Sequence, residues 1–528
     1  MAKIKYLLVL IVLLTSCQMG SSIENEQGDY LYSRAPDSSS DKKVVMVMID
    51  SLMGSTLDES LEEGSVPALE YLIENGQYYK DLVAPFPSMS VTVESTLITG
   101  EMPDKHGVPG LSWFKQDEDR IVNYGSNWEF WRENGLSQGL YDVLYNLNNE
   151  HLNKDVPTVF DDLDAQGFTS GAVNTVLYRG NTEHTLDMPP LTEHLSDLPG
   201  TIETKGPDNL SFGRIKKPDG FESEAFTDGI FNRAGLVDKY SMEAAQRLIK
   251  NNRQPDFLLL FFPDNDKEIH KHGSLHRDGF EKADGCLQGI LNSYGSWEEA
   301  LEENVFIIFG DHAQDQLNKT EEETAIDLES LYGDYYIADL GDPVSEGDIG
   351  LGINQRSAYI YDLHNRDLIP SLAGRALNHP DIDIAAWMED GWVKVMSPAH
   401  KGELRFKRGG EKTDIYGQNW TIQGNKKILD LNKKGDNDMS YGNYPDGLNH
   451  LETALKSHEP AKLVLTARPG HSFYADGIAV HEDGGEHGGL HKNDLLGALV
   501  IAGTDQEPDT IRIVDLKNYI LNHFEDKE

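Results

Sequence analysis

The chain has 528 residues, more than one average domain, and its 38% hydrophobic and 9% aromatic content supplies a sizeable core, which excludes wholesale disorder. Asp and Glu number 89 against 46 Lys and Arg, a formal net charge of −43, which excludes an extended electrostatic surface for nucleic acid or an anionic membrane. Only two cysteines are present, and one belongs to an export signal, so Cys286 is left alone and a disulfide scaffold is excluded.

Residues 1–16 read as a signal peptide. Lys3 and Lys5 precede an apolar run from Tyr6 to Leu14, and small residues follow. The run is too short to span a bilayer as a helix. Leu14-Thr15-Ser16-Cys17 resembles the bacterial lipoprotein processing box, which implies cleavage before Cys17 and lipidation of its sulfur. Residues 17–41 are polar, with Ser38-Ser39-Ser40 near the end, and read as a flexible tether. The expected location is extracytoplasmic, with a bacterial membrane reached only through the lipid.

Val44 to Ile49, Phe257 to Phe262, Val305 to Phe309 and the shorter Ala498 to Ile501 are continuous apolar runs of strand length. Runs that are apolar on both faces suit a mostly parallel central sheet flanked by helices. Helices are predicted over Pro67–Asn75, Met242–Asn251 and Trp297–Glu303, so the fold class is α/β. Residues 108–250, rich in Asn, Gly and Asp, read as long loops and an insertion. Residues 390–432 contain short alternating pieces, namely Trp392–Val395, Thr413–Ile415, Trp420–Ile422 and Lys427–Leu429, which predict an antiparallel meander. The α/β core is then 42–317 and 480–528, with 318–479 holding further core elements and the inserted meander. No internal repeat is present.

Three of the apolar strands run into acidic or imidazole side chains: Asp50; Asp266 and His270; and Asp311 and His312. In a parallel sheet the carboxyl ends of strands share one edge, where ligands bind. Asp266 and His270 are four apart, so on a helical turn they point the same way. Asp311 and His312 can serve one centre only from a loop, which Gly310 permits. Carboxylate with imidazole is the ligand chemistry of zinc and similar divalent ions. His487, within Gly484-Gly485-Glu486-His487-Gly488-Gly489, is a further candidate, with His491 as its alternative. His151, His194, His379 and His458 lie in polar stretches and read as surface residues.

Pro87 precedes a predicted helix from Ser90 to Ile98, ended by Gly100. A hydroxyl in its first turn meets the positive end of the helix dipole, which favours a bound phosphate. On residues alone, Ser88 or Ser90 could equally be an N-cap.

These pieces together resemble the alkaline phosphatase superfamily, and within it the type I phosphodiesterase/nucleotide pyrophosphatase branch. The matching motifs are the strand ending in Asp50, Phe86-Pro87-Ser88-Met89-Ser90, Pro103-Asp104-Lys105-His106-Gly107, Asp266-x-x-x-His270-x-x-Gly273, Gly310-Asp311-His312 and Glu486-His487-Gly488-Gly489-Leu490. With their flanking strands they span residues 44 to 502. The resemblance implies two divalent metals, usually zinc. Asp266, His270 and His487 match the ligands of one, and Asp50, Asp311 and His312 those of the other. Ser90 matches the nucleophile, which bridges towards the second metal, with Thr92 as the remaining candidate.

The implied reaction is hydrolysis of a phosphate ester through a phosphoseryl intermediate, with a phosphodiester as the expected substrate. A phosphomonoesterase is the alternative, because the core is shared. Nucleotide-cleaving members place an asparagine shortly after the His-Gly pair, whereas Gly107 is followed here by Val108-Pro109-Gly110-Leu111-Ser112-Trp113. The Pro-Asn pair after the nucleophile is replaced by Thr92-Val93. A sulfatase is disfavoured, since no Cys- or Ser-x-Pro-x-Arg segment occurs. A lipid-anchored protein using the metals structurally is the reading from another class.

Overall fold

The computed structural model describes residues 42–125, 136–188, 198–338, 343–478 and 480–525. The signal peptide, Cys17, the tether and His194 lie outside the described residues. Two seven-stranded sheets organise the rest.

The first sheet is ordered Gly76–Val83, Leu496–Ala502, Asn304–Phe309, Lys43–Ile49, Phe257–Phe262, Ser170–Val173, Asn209–Ser211. Lys43–Ile49 lies parallel to both of its neighbours, with Met46 opposite Ile307 on one side and Leu259 on the other. Leu496–Ala502 alone runs antiparallel to the strands beside it. Val44, Met46 and Met48 join one apolar cluster, while Val45, Val47 and Ile49 join the cluster on the opposite face. Two-sided burial is therefore why these strands carry no polar alternation. Helices Ser90–Thr99, Val159–Gln166 and Ile513–Glu525 cover the first face; Gly54–Glu63, Pro67–Glu74, Asp238–Lys250 and Asp278–Leu291 cover the second. The architecture is the α/β fold expected, a mostly parallel sheet between helices with an antiparallel subdomain.

The helix expected from Met242 begins a turn earlier, at Asp238, while Trp297–Glu303 has the bounds predicted. Residues 108–250 are more regular than their composition suggests: Ser170–Val173 and Asn209–Ser211 are strands of the central sheet. Strands this short, built from Ser, Gly, Asn and small apolar residues, leave no periodic signal.

The second sheet is antiparallel throughout, ordered Ile349–Asn354, Ser357–Asp362, Lys462–Ala467, Ile382–Glu389, Trp392–Ser397, His400–Thr413, Asn419–Gly424. The alternating pieces near 390–432 supply three of its strands, and the other four lie outside that range. Lys426–Leu429 is a helical turn instead of a strand, with the Asn425 side chain accepting from the Lys427 N–H. Ile415 is exposed beyond the end of its strand. Helices Ile369–Ala376 and Gly447–Lys456 pack on opposite faces of this sheet.

His151 is buried and His458 half-buried, so neither is a plain surface residue. Nδ1 of His151 lies 2.7 Å from the Tyr124 hydroxyl and Nε2 of His458 lies 2.8 Å from that of Tyr361. Burial pulls His151 down to about 4. No helix of the described residues is long and apolar enough to cross a membrane.

Candidate active site

The strands Asn304–Phe309, Lys43–Ile49 and Phe257–Phe262 are adjacent and parallel, so their carboxyl ends deliver Asp311 and His312, Asp50, and Asp266 to one edge. Asp311 and His312 sit in a loop. The chain can turn there because Gly310 has no Cβ, which would lie 2.1 Å from the Leu52 carbonyl oxygen. Asp266 and His270 lie one turn apart on helix Asp264–His272, with His270 Nε2 3.3 Å from Asp266 Oδ1. His487 arrives from the distant glycine-rich loop and places Nε2 3.7 Å from the same oxygen. Gly488, next to it, has φ 91° and is so close to the Asn354 carbonyl that a side chain could not fit.

Oxygen and nitrogen atoms of Asp50, Asp311 and His312 all lie within 4.8 Å of one another, and so do those of Asp266, His312 and His487. His312 Nε2 is 3.6 Å from Asp50 Oδ1 and 3.3 Å from Asp311 Oδ2. The imidazoles of His312 and His487 stack 3.8 Å apart. The six candidate ligands thus form one continuous cluster. His491 stands apart from it, its side chain accepting from the Asn493 N–H at the start of a short helix.

Ser90 opens the helix Ser90–Thr99 at its first position. The capping alternative fails for both serines: Met89 is the N-cap, and Ser88 Oγ accepts from the Gly488 N–H at 2.9 Å. The Ser88 carbonyl meets Nδ1 of His487 at 2.7 Å, so the segment before Ser90 is bound to the loop of a candidate ligand. Glu94, one turn after Ser90 and on the same face, is close enough to Asp50 and Asp311 to disfavour ionisation of Asp50. Its own carboxylate accepts from the Leu177 N–H at 2.8 Å. Thr92, the other candidate, is fully buried, and its hydroxyl has no partner.

The electrostatics call for a cation. Burial raises Asp50 well above its usual range, and the negative charges of Asp266 and Asp311 add to it. Burial likewise raises Asp311. The surrounding protein also pushes the partly buried Asp266 upward, but His270, His487 and His312 hold it well below the ordinary carboxylate range. Burial pulls His270 down, yet Asp266 outweighs it and lifts the imidazole to about 9. Asp311 Oδ2 and His312 Nε2 are buried with no hydrogen-bond partner. Orphaned acceptors of this kind are costly unless something binds them, and a divalent ion would satisfy both.

Three contributors carry no recognisable sequence signal. Ser51, at φ 60°, puts Oγ 3.1 Å from Asp266 Oδ1 and 3.3 Å from His312 Nδ1, and its N–H donates to Asp311 Oδ1 at 2.9 Å. Gln314 donates from Nε2 to Asp266 Oδ1 at 2.6 Å and to Ser51 Oγ at 2.9 Å. Arg356, fully buried, donates from Nη1 to both Asp494 oxygens at 2.9 Å, and its own N–H donates to the His487 carbonyl at 3.2 Å. Only the adjacency of Ser51 to Asp50 and of Gln314 to His312 could have drawn attention to them.

A family model described as type I phosphodiesterase/nucleotide pyrophosphatase matches residues 44–489. The chain belongs to that family. It is a phosphoric ester hydrolase. No curated protein matches it in sequence. Solved structures similar to it include phosphonoacetate hydrolase from Sinorhizobium meliloti 1021 in complex with phosphonoformate, with TM-score 0.53 and 14% identity over 92% of this chain and 96% of that one. An inactive form of murine ectonucleotide pyrophosphatase/phosphodiesterase 5 in complex with AMP aligns with TM-score 0.52 and 12% identity, covering 92% and 95% of the two chains. The human counterpart aligns with TM-score 0.52 and 14% identity over the same shares. At these identities the likeness establishes the fold.

Proposed function

We propose that the protein is a metal-dependent phosphodiesterase using Ser90 as nucleophile. The observation that carries this reading is the convergence of Asp50, Asp266, Asp311, His312 and His487, two of them with orphaned buried atoms and with His270 beside Asp266, next to the N-terminus of the helix that Ser90 opens. Asp266, His270 and His487 would hold one divalent ion and Asp50, Asp311 and His312 a second, with Ser90 also reaching towards the second. Zinc suits this set of carboxylates and imidazoles. Bound there, two such ions supply Lewis-acid stabilisation of the charge that builds up in an in-line displacement.

In the proposed reaction the Ser90 proton passes through solvent to the departing oxygen, as Oγ bonds to phosphorus and the bond to the leaving alcohol breaks. Water then cleaves the phosphoseryl ester. The helix N-terminus favours the phosphoryl oxygens, and the two bonds of Ser88 to the His487–Gly488 loop fix the position from which Ser90 attacks. Turnover of bis-p-nitrophenyl phosphate and p-nitrophenyl phosphate, measured in parallel on zinc-loaded protein, tests the reading. Faster diester cleavage that disappears in Ser90→Ala supports it. Faster monoester cleavage would make the protein a phosphomonoesterase, and turnover of neither would favour a binding role.

We further propose that the mature chain is tethered outside the cytoplasm of a bacterium through lipid on Cys17, on the strength of the Leu14–Cys17 motif and the polar stretch after it. Incorporation of radiolabelled palmitate that vanishes in Cys17→Ala is the corresponding test.

A further inference from the structure

Helix Asp264–His272 carries a second acid–imidazole pair at the spacing of the first. Asp266 and His270 face the candidate active site; Glu268 and His272 are displaced from them by two positions, about 200° around the helix, and face away. The chain then turns at Gly273, where the His276 N–H donates to the Gly273 carbonyl at 3.0 Å. That turn brings His276 back over the outward pair. His272 Nε2 is 3.8 Å and His276 Nε2 3.7 Å from the same oxygen of Glu268, and the two rings are 4.6 Å apart. Asp278 Oδ2 stands 4.0 Å from His276 Nε2.

These distances are too long for hydrogen bonds, and His276 Nε2 is shielded from solvent with no partner. Ligands of a tetrahedral zinc at about 2.0–2.1 Å are separated by about 3.3 Å, so an ion would fit after a contraction of roughly half an ångström. Two imidazoles and a carboxylate, with a second carboxylate at the rim, match zinc and similar borderline divalent ions. The group shares no side chain with the Asp266–His312–His487 cluster.

We propose that Glu268, His272 and His276 form a further divalent-cation site, with Asp278 available as a fourth ligand. An ion there would staple the last turn of the helix that bears Asp266 and His270 to the loop that follows it.

The test is zinc content per chain of the full-length protein, after chelation, reloading and gel filtration, together with the rise in Tm caused by zinc. His272→Ala, His276→Ala and Glu268→Gln are each expected to hold one equivalent less than wild type. Asp266→Asn/Asp311→Asn, which alters both groups of the active-site cluster, should keep a zinc-dependent Tm rise that adding His276→Ala abolishes. Cobalt substitution should give visible absorption in Asp266→Asn/Asp311→Asn that His276→Ala removes from it. Wild-type zinc content in both His272→Ala and His276→Ala would overturn the proposal. A failure of the two-metal active-site reading would show instead as unchanged zinc content in Asp311→Asn. Should His276→Ala not fold in the absence of metal, Glu268→Gln, which preserves side-chain size, decides the question.

Discussion

Both seven-stranded sheets bury apolar clusters on two faces and both are covered by helices, but they use the ends of their strands differently. In the parallel sheet, Asp50 and Asp311 follow neighbouring strands, arrive at one edge and crowd together until burial and mutual repulsion disfavour their charge. In the antiparallel sheet, Asp362 also ends a strand, but its carboxylate accepts from the Leu368 N–H at 3.0 Å and stays a local turn former. The residue type is the same. Parallel strands concentrate such ends at one edge, whereas antiparallel neighbours scatter them over two.

The contrast can be broken by substitution on each side. Ser90→Ala, beside the parallel edge, is expected to lower kcat on a phosphodiester by about 10³- to 10⁶-fold with Tm unchanged, as for other nucleophiles that act within a unit. In the antiparallel sheet, Trp420 is fully buried and donates from Nε1 to Asp414 at 2.8 Å. Trp420→Ala should cost about 3–5 kcal/mol in urea unfolding while leaving turnover per folded molecule intact. An equal loss of kcat in both variants would erase the distinction between the sheets.

Smaller effects sharpen it. Gln314→Ala removes the 2.6 Å bond to Asp266 and should reduce metal affinity by about 10- to 100-fold, read by competition with a chromophoric chelator. The least selective probe is pH. Burial depresses His106 beside the central sheet and His450 beside the second to about 3, from an ordinary 6.5. In each case the unfolded chain takes up the proton first, so stability is full above pH 6.5 and falls as pH drops from 6.5 towards 3. Each histidine contributes up to about 1.4 kcal/mol per pH unit in that window. Urea midpoints of metal-free protein at pH 7.5, 6 and 5 should therefore decline for the wild type and decline less in His450→Gln.

The strands and ligands of the parallel sheet were legible because two-sided burial writes unbroken apolar runs, and the chemistry follows directly at their ends. Ser170–Val173 and Asn209–Ser211 were illegible, because their place inside the sheet comes from pairing rather than from any apolar pattern of their own. Much of the antiparallel sheet was hidden for a related reason. Ile349–Asn354 contains Gly350 and Gly352, and Ser357–Asp362 is fully buried although it begins with Ser and ends with Asp. Lys427–Leu429 has an alternating look but closes as a helical turn once Asn425 caps it. Within the site, the residues alone left Ser88 and Ser90 open as caps and only the family resemblance singled out Ser90; the fold shows Ser88 engaged with Gly488. Gln314 and Arg356 matter only through partners far along the chain, a relation that spacing does not record.

The antiparallel strand Leu496–Ala502 lies between Gly76–Val83 and Asn304–Phe309, and His487 comes just before it. A ribosome releases Asp50 and Ser90 hundreds of residues before the segment that fills this gap. The nascent chain must therefore wait, its sheet incomplete and one proposed ligand missing, until nearly the whole polypeptide has emerged. On the proposed ligand set, a chain cut short before residue 487 would lack both a ligand and the strand that completes the sheet, and is expected to be inactive.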